Sequence, residues 1–203
     1  MNLFGKIIAI CGNDCVGKTT QSKLLVNYLK QKNKKTLYLK VPTKFSFISF
    51  KLIYWMLKNG MAVKHPYIFH SIQFINKFLF QMFVLPILLL KYDFIVFDRW
   101  ALSALIFGNA TGINKKLNKF LFKLMKKPDI TYVLTRDTIQ DAREHDSYDD
   151  DEMLQISVRR AYIDWALRAS PYEVALIDAN DSIENVHNNI VTCFNNFSLI
   201  KFR

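Results

Sequence analysis

The sequence predicts an α/β fold in three layers, with a mostly parallel five-stranded sheet flanked on both faces by helices. Two observations predict it. Five short β-rich apolar runs recur along the chain, and their nearly continuous apolar character is typical of parallel strands buried on both faces. A segment with helical apolar spacing separates successive runs, as the crossover connections of a parallel sheet require. The predicted strands cover residues 6–11, 36–41, 94–97, 130–134 and 173–177.

Helical patterns fill the intervals between these strands. The helices are predicted for residues 18–32, most of 44–91, from about 101 onward, 115–126, 151–169 and about 181–194. Pro86 is expected to interrupt the second of them. Residues 137–151 form the most polar segment and are predicted to be a short, mobile lid. No repeat or linker divides the chain, so residues 1–203 are predicted to form one domain.

The composition narrows the class of protein. Hydrophobic residues make up 51% of the chain and charged residues 22%, as in a globular domain. The net charge of +11 suits nucleic-acid binding, but it also suits polyphosphate ligands. The lysine clusters at 30–35 and 115–127 lack an arginine-rich stripe interleaved with aromatics, so we expect a solvated basic face and no stable nucleic-acid partner. Three cysteines without a CxxC pair argue against disulfides or structural zinc and, with no signal-peptide pattern, predict a cytoplasmic location.

One apolar stretch raises the question of a membrane. Residues 78–90 are almost wholly apolar, but the stretch is 13 residues long and contains Gln81 and Pro86. A spanning helix needs about 20 residues. We therefore expect a buried helix or a dimer face rather than a membrane segment.

The sequence GNDCVGKT at residues 12–19 matches the phosphate-binding pattern GxxxxGK[ST] and lies between a predicted strand and a predicted helix. The glycines let backbone N–H groups point inward at phosphate oxygens, and the helix N-terminus adds its positive dipole end. Lys18 would bridge the β- and γ-phosphates of ATP, and Thr19 would offer its hydroxyl to Mg²⁺. The alternative is a glycine turn with an incidental lysine. The predicted ATP contacts are Gly12, Asn13, Asp14, Cys15, Val16, Gly17, Lys18, Thr19 and Thr20.

Five segments in the same order resemble the thymidylate kinase family, whose fold is of the P-loop NTPase type. They are GNDCVGKTTQ at 12–21, VPTK at 41–44, DRWALSALIFGNATG at 98–112, PDITYVL at 128–134 and IDANDSIENVHNNI at 177–190. The resemblance implies a transferase that moves a phosphoryl group from ATP to a nucleoside monophosphate, turning dTMP into dTDP. It also implies a homodimer.

The resemblance assigns roles on the donor and metal side. Asp98, at the carboxyl end of a strand, would hold Mg²⁺ through water. Arg143 would be the lid arginine over the phosphates, with Arg136 as the second candidate. Ala179, in the IDA segment, falls on the nucleotide side.

Further residues are assigned to the acceptor. Asp14 would reach the sugar 3′-OH, and Arg99 would clamp the acceptor phosphate because a guanidinium fork fits phosphate oxygens. Lys44 stands where the family usually has an arginine on the same phosphate. The remaining candidates are Phe74 for stacking on the base, Ser103 and Phe107 near the sugar and base, and Tyr148 in the lid.

Two alternatives stay open at this point. The family's base-reading arginine has no clear counterpart, since an ungapped comparison places Phe78 there with Lys77 adjacent, so a broad-specificity deoxynucleoside monophosphate kinase is possible. A deoxynucleoside kinase is disfavoured because VPTKFSF, at 41–47, lacks the acid that such an enzyme needs. The charge of +11 favours a non-catalytic nucleotide-binding protein slightly, whereas the intact set of Lys18, Thr19, Asp98 and Arg99 disfavours it.

Overall fold

The structure is a computed structural model, and it describes residues 4–40, 50–137, 152–169 and 173–201. Five parallel strands form one sheet in the order β2-β3-β1-β4-β5. The predicted fold class is confirmed, and each predicted strand boundary lies within one residue of the observed one. The strands are β1 (Lys6–Gly12), β2 (Thr36–Lys40), β3 (Phe94–Asp98), β4 (Ile130–Thr135) and β5 (Val174–Asp178).

Helices connect the strands. They are α1 (Lys18–Gln31), α2 (Phe50–Lys58), α3 (Met61–Lys64), α4 (Pro66–Leu79), α5 (Leu85–Lys91), α6 (Ala101–Ala110), α7 (Lys115–Lys123), α8 (Glu152–Arg168) and α9 (Ile183–Lys201). Two expectations need correction. Pro86 does not interrupt the helical run, because a π-helical turn at Phe80–Val84 leads into α5 and places the proline in its first turn, where no N–H is needed. The last helix continues to Lys201 rather than ending near 194, since Phe194 and Phe197 add buried contacts.

The sheet separates two apolar cores, as the alternation of β1 requires. Ile7, Ala9 and Cys11 face the core that includes residues of α4, α6 and α8, whereas Ile8 and Ile10 face the core beneath α1 and α9. Both faces of the central strand are therefore covered. This leaves the carboxyl ends of the strands as the edge where a ligand can bind.

The apolar stretch at 78–90 belongs to a longer helical run, so the expectation based on a length of 13 residues needs correction. The helical run Pro66–Lys91 has 26 residues and, by length and composition alone, is long and apolar enough to cross a membrane. Only 28% of its most apolar 18-residue window is buried, although Phe69, Phe80 and Leu85 are core residues. The run also exposes large apolar residues, and so does α2. We call these residues together the apolar face: Leu52, Tyr54, Trp55, Tyr67, Ile68, Ile75, Met82, Phe83, Ile87 and Leu90.

Some predictions fall outside the described residues. The predicted lid does so except for Asp137, and with it go Arg143 and Tyr148. Lys44 also lies outside them. Their roles stay predictions.

Candidate active site

The loop between β1 and α1 has the backbone that a phosphate cradle needs. Gly12 has a φ of 148° and Gly17 a φ of 83°, conformations that residues with a Cβ rarely adopt. Cys15 is also left-handed, with a φ of 59°. Gly17 is the N-cap of α1 and provides no side-chain acceptor, so the first N–H groups of α1 are left to meet an anion. The predicted strand–loop–helix context is confirmed.

Lys18 lies inside this loop rather than in solvent. It is 6% exposed, and its ammonium group donates to the Asn13 carbonyl oxygen. The ammonium nitrogen is 3.7 Å from Asp14 Oδ1. Burial of a cation is costly unless acceptors surround it, so the loop is built to hold a positive charge at this point.

Asp14 is where three elements meet. Its Oδ1 forms an ion pair with Arg99, which directly follows β3. Gln155 of α8 donates to Asp14 Oδ2 at 2.9 Å and accepts from the Asp14 N–H at 3.1 Å. Gln155 is 1% exposed, so this double contact is enclosed. Sequence reasoning missed Gln155, because a lone glutamine in a helix carries no motif.

Arg99 adopts an unusual backbone conformation. Its φ is 68°, which costs a non-glycine residue on the order of 1 kcal/mol and occurs most often at functional sites. Its N–H donates to the Ile10 carbonyl oxygen at 3.0 Å, and Nη1 donates to the Gly12 carbonyl oxygen at 3.4 Å. The guanidinium carbon lies 5.3 Å from the centre of the Phe107 ring. The structure thus brings together Asp14 and Arg99, the two residues that the resemblance assigned to the acceptor.

Asp98, Thr19 and Tyr38 form a third group. Thr19 Oγ1 donates to Asp98 Oδ2 at 2.5 Å, and the Tyr38 hydroxyl donates to the same oxygen at 3.1 Å. Burial, and then the charge of Asp98, raises the pKa of Tyr38, so its hydroxyl keeps the hydrogen that it donates. Asp98 is 1% exposed. Tyr38 carries no motif, and sequence reasoning did not select it.

These oxygen donors fit Mg²⁺. The ion prefers oxygen ligands and is usually bound by one or two carboxylates together with substrate phosphates and water. Among residues 4–40, 50–137, 152–169 and 173–201 there is no cluster of three or more His, Cys, Asp or Glu side chains able to hold a metal. A site of the kinase type needs no such cluster, because the phosphates supply the remaining ligands.

The other predicted residues on the ATP side differ in exposure. Asn13 and Val16 are buried, and Thr20 is exposed at the start of α1. Asn13 Oδ1 has no hydrogen-bond partner in the described part of the chain. Ala179 follows β5, where its N–H donates to the Thr135 carbonyl oxygen at 2.8 Å.

The predicted acceptor residues on α6 are mostly enclosed. Ser103 accepts a hydrogen bond of 2.9 Å from the Tyr162 hydroxyl, and both residues are buried. Phe107 is buried beneath Arg99. Phe74 of α4 is half-buried and stacks on Phe78, with ring centres 5.7 Å apart. A direct contact of these side chains with the acceptor stays a prediction.

Phe74 also lines a cavity of about 40 Å³ between α4, α6 and α7. Lys77 and His70 line the same cavity. Lys77 is 9% exposed, and burial lowers its pKa to about 8. The cation next to Phe78 in the sequence therefore points into the interior, toward the predicted stacking residue.

His70 gives this region a pH dependence. Its Nε2 lies 3.1 Å from Thr111 Oγ1, which joins α4 to the end of α6. Burial, and then the charge of Lys77, lowers the pKa of His70 to about 4 from an ordinary value of 6.5. Between those two pH values the unfolded chain binds a proton that the folded chain does not. Stability therefore falls as the pH drops through this window, by about 3 kcal/mol in total.

We expect the His70→Gln variant to lose this part of the acid sensitivity. Urea unfolding at pH 7 and at pH 4.5 measures the difference in unfolding free energy for each variant. The exposed His65 provides the control, and His65→Gln should keep the parent's difference. An undiminished difference in His70→Gln would contradict the assignment.

Gly12 is expected to tolerate no side chain. A Cβ at this position would lie 2.1 Å from the Leu134 carbonyl oxygen of β4, at a φ of +148°. Because the two nearest atoms are the backbone carbonyl oxygen and carbon of Leu134, which cannot move aside as a side chain can, we expect Gly12→Ala to lower the unfolding free energy by about 3 kcal/mol or more. Gly112→Ala is the matched control, since Gly112 has a φ of +88° and no atom within 4 Å of its Cβ position. Equal losses in urea unfolding of the two variants would contradict this account.

Comparison with known proteins supplies the deciding observation. A family model described as thymidylate kinase matches residues 10–190. The chain belongs to the thymidylate kinase family. Two curated thymidylate kinases agree over nearly the whole length. The enzyme of Plasmodium falciparum is 29% identical over 191 residues, covering 92% of this chain and 88% of its own. That of Schizosaccharomyces pombe is 25% identical over 201 residues, covering 96% and 94%.

Solved thymidylate kinases share the fold. The structure from Candida albicans, described as revealing the origin of broad substrate specificity, has a TM-score of 0.76 at 21% identity and covers 95% of this chain and 92% of its own. The structure from Ehrlichia chaffeensis has a TM-score of 0.73 at 20% identity, covering 95% and 99%.

Membership makes this chain a nucleoside monophosphate kinase of the thymidylate kinase type, which phosphorylates dTMP with ATP as the donor. The prediction of a kinase is confirmed, and the alternative of a non-catalytic nucleotide-binding protein is set aside.

Proposed function

We propose that this family member transfers the γ-phosphate of ATP to dTMP in a Mg²⁺-dependent reaction at the carboxyl ends of β1 and β3. The observation that carries the proposal is the Asp14–Arg99 ion pair, which joins the phosphate-binding loop to the end of β3, where Asp98 accepts a hydrogen bond from Thr19 of the same loop. A donor site, an acceptor clamp and a metal-binding carboxylate thus belong to adjoining segments of one edge of the sheet.

The donor side consists of the loop and Lys18. The ammonium group would meet the β- and γ-phosphates, where its present acceptors, the Asn13 carbonyl and Asp14, already place a cation. The first N–H groups of α1 would bind phosphate oxygens. When bound, Mg²⁺ neutralises charge on the phosphates, and Thr19 and Asp98 are the residues that would hold it.

The acceptor side consists of Arg99 and Asp14. A guanidinium group has five N–H donors in a fixed fork, so pairing through Nη2 with Asp14 leaves donors for phosphate oxygens. Asp14, held by Gln155, would orient the sugar 3′-OH. The acceptor phosphate is largely ionised at neutral pH and is itself the nucleophile, so the reaction needs no general base. Positioning and charge stabilisation then account for the catalysis.

A coupled assay of ADP release tests this proposal. ADP should form only when dTMP, ATP and Mg²⁺ are all present, and EDTA should abolish it. A panel of dTMP, dUMP, dCMP, dGMP, dAMP, UMP and CMP should place dTMP first. ADP release that is independent of any monophosphate, or undiminished by EDTA, would contradict the proposal.

We also propose that two copies associate through the apolar face and that the enzyme acts in the cytoplasm. The apolar face supports association because a monomer rarely exposes so many large apolar side chains on adjoining helices. Trp55, Phe83, Ile87 and Leu90 are each more than half exposed. No membrane or stable nucleic-acid partner is proposed.

Sedimentation equilibrium distinguishes the possible partners of this face. The expected mass is twice the chain mass of 23.8 kDa. Phe83→Glu, which buries a charge in the proposed interface, should shift the mass toward one chain. A single-chain mass for the parent at micromolar concentration, or flotation of the parent with lipid vesicles, argues against the dimer.

A further inference from the structure

Tyr38 lies where an edge strand meets the metal-binding group. It pairs in register with Val96, and Lys40 pairs with Asp98 two residues later. Because partners in parallel strands point to the same side and side chains alternate, Tyr38 and Asp98 lie on the same face of the sheet. The Tyr38 ring packs against the core beneath α1, which directs its hydroxyl toward the carboxyl edge of the sheet.

Both hydrogen bonds to Asp98 reach the same oxygen. Thr19 and Tyr38 each have one hydroxyl hydrogen, and each donates it to Oδ2. Because Thr19 acts as the donor in this bond, its own oxygen can still act as a ligand. Neither of these two donors is bonded to Asp98 Oδ1, so the two carboxylate oxygens have different surroundings.

We propose that Tyr38 is a positioning residue that, together with Thr19, holds Asp98 so that Oδ1 is presented to Mg²⁺ or its bound water. The torsion that turns a carboxylate about its axis is broad, so Thr19 alone would leave more freedom. A second donor at a different angle restricts it. Groups that orient a metal-binding carboxylate typically change metal affinity by 10-fold to 100-fold when they are removed. The inference rests on the proposed role of Asp98 and Thr19 toward Mg²⁺.

The variant Tyr38→Phe removes the hydroxyl and keeps the packed ring. The measurement is calorimetric binding of a non-hydrolysable ATP analogue to the full chain, with Mg²⁺ and with EDTA. The ratio of the two dissociation constants is the Mg²⁺ coupling. We expect this coupling to fall about 10-fold in Tyr38→Phe, while affinity in EDTA and the KM for dTMP change less than about twofold. A merely structural role would weaken binding in EDTA as well.

Tyr28→Phe is the matched control. Its hydroxyl donates to Asn195 at 3.1 Å on the protein surface, away from the loop, so its coupling should equal the parent's. Unchanged coupling in Tyr38→Phe, or an equal loss of affinity with and without Mg²⁺, overturns the inference. Asp98→Asn distinguishes the proposed role of Asp98 in Mg²⁺ binding from the proposed role of Tyr38. If it leaves the coupling intact, the metal assignment fails, whereas if it abolishes the coupling and Tyr38→Phe does not reduce it, only the role of Tyr38 fails.

Discussion

Replacing Lys18 by alanine is expected to lower kcat about 10³-fold, equivalent to ~4 kcal/mol of transition-state stabilisation. The reason is geometric as well as electrostatic. The ammonium group is enclosed by the phosphate-binding loop at 6% exposure and is held by the Asn13 carbonyl, so no other lysine can take its place. Charge on the transferring phosphoryl group would then lose its nearest fixed cation. Steady-state ADP release at saturating ATP and dTMP measures the effect.

The fold should survive this change. Asp14 keeps Arg99 and Gln155 as partners, so removing Lys18 leaves no isolated buried charge. Thermal unfolding should show a Tm within a few degrees of the parent's. Lys23→Ala, on the exposed side of α1, is the matched control and should keep full activity. Turnover of Lys18→Ala comparable with that of the parent would show that the loop is not the donor site.

Replacing Arg99 by alanine should impair use of dTMP far more than binding of ATP. We expect kcat/KM for dTMP to fall about 100-fold, or ~2.7 kcal/mol, and the dissociation constant of an ATP analogue to change less than about threefold. Arg99 pairs with Asp14 and lies over the Phe107 ring, where we propose that the acceptor binds, and the substitution leaves the loop backbone and Lys18 unchanged. Initial rates with either substrate varied, together with direct analogue binding, separate the two effects.

Two further variants sharpen this experiment. Arg99→Lys keeps the positive charge but loses the guanidinium fork. Its kcat/KM for dTMP should therefore lie between that of the parent and that of Arg99→Ala. Arg168→Ala removes an exposed arginine and should change neither constant. Equal losses of acceptor and donor affinity in Arg99→Ala would mean that the arginine acts by holding Asp14 and the loop, not by binding phosphate.

Much of this architecture is local, and the sequence therefore determined it. Strands buried on both faces are continuous apolar runs, so their boundaries could be read to within one residue. The phosphate-binding loop depends on glycines, a lysine and a threonine at fixed spacing between a strand and a helix, which is a property of consecutive residues. The loop pattern predicted the roles of Lys18 and Thr19. The role of Asp98 was predicted from its position at the end of a strand and from the family resemblance.

Contacts between distant segments were decided only by the tertiary structure. Gln155 reaches Asp14 from 141 positions away, and Tyr38 reaches Asp98 from 60. A single glutamine or tyrosine belongs to no sequence motif. Its hydrogen-bond partner therefore becomes known only once the packing of helices and strands is known. Packing likewise explains why the helical run continues through Pro86. The π-helical turn lies between α4 and α5, and both helices bury apolar side chains in the core. The local sequence thus determined the strand–loop–helix unit at 12–19, and long-range packing decided which side chains hold Asp14 and Asp98 in place.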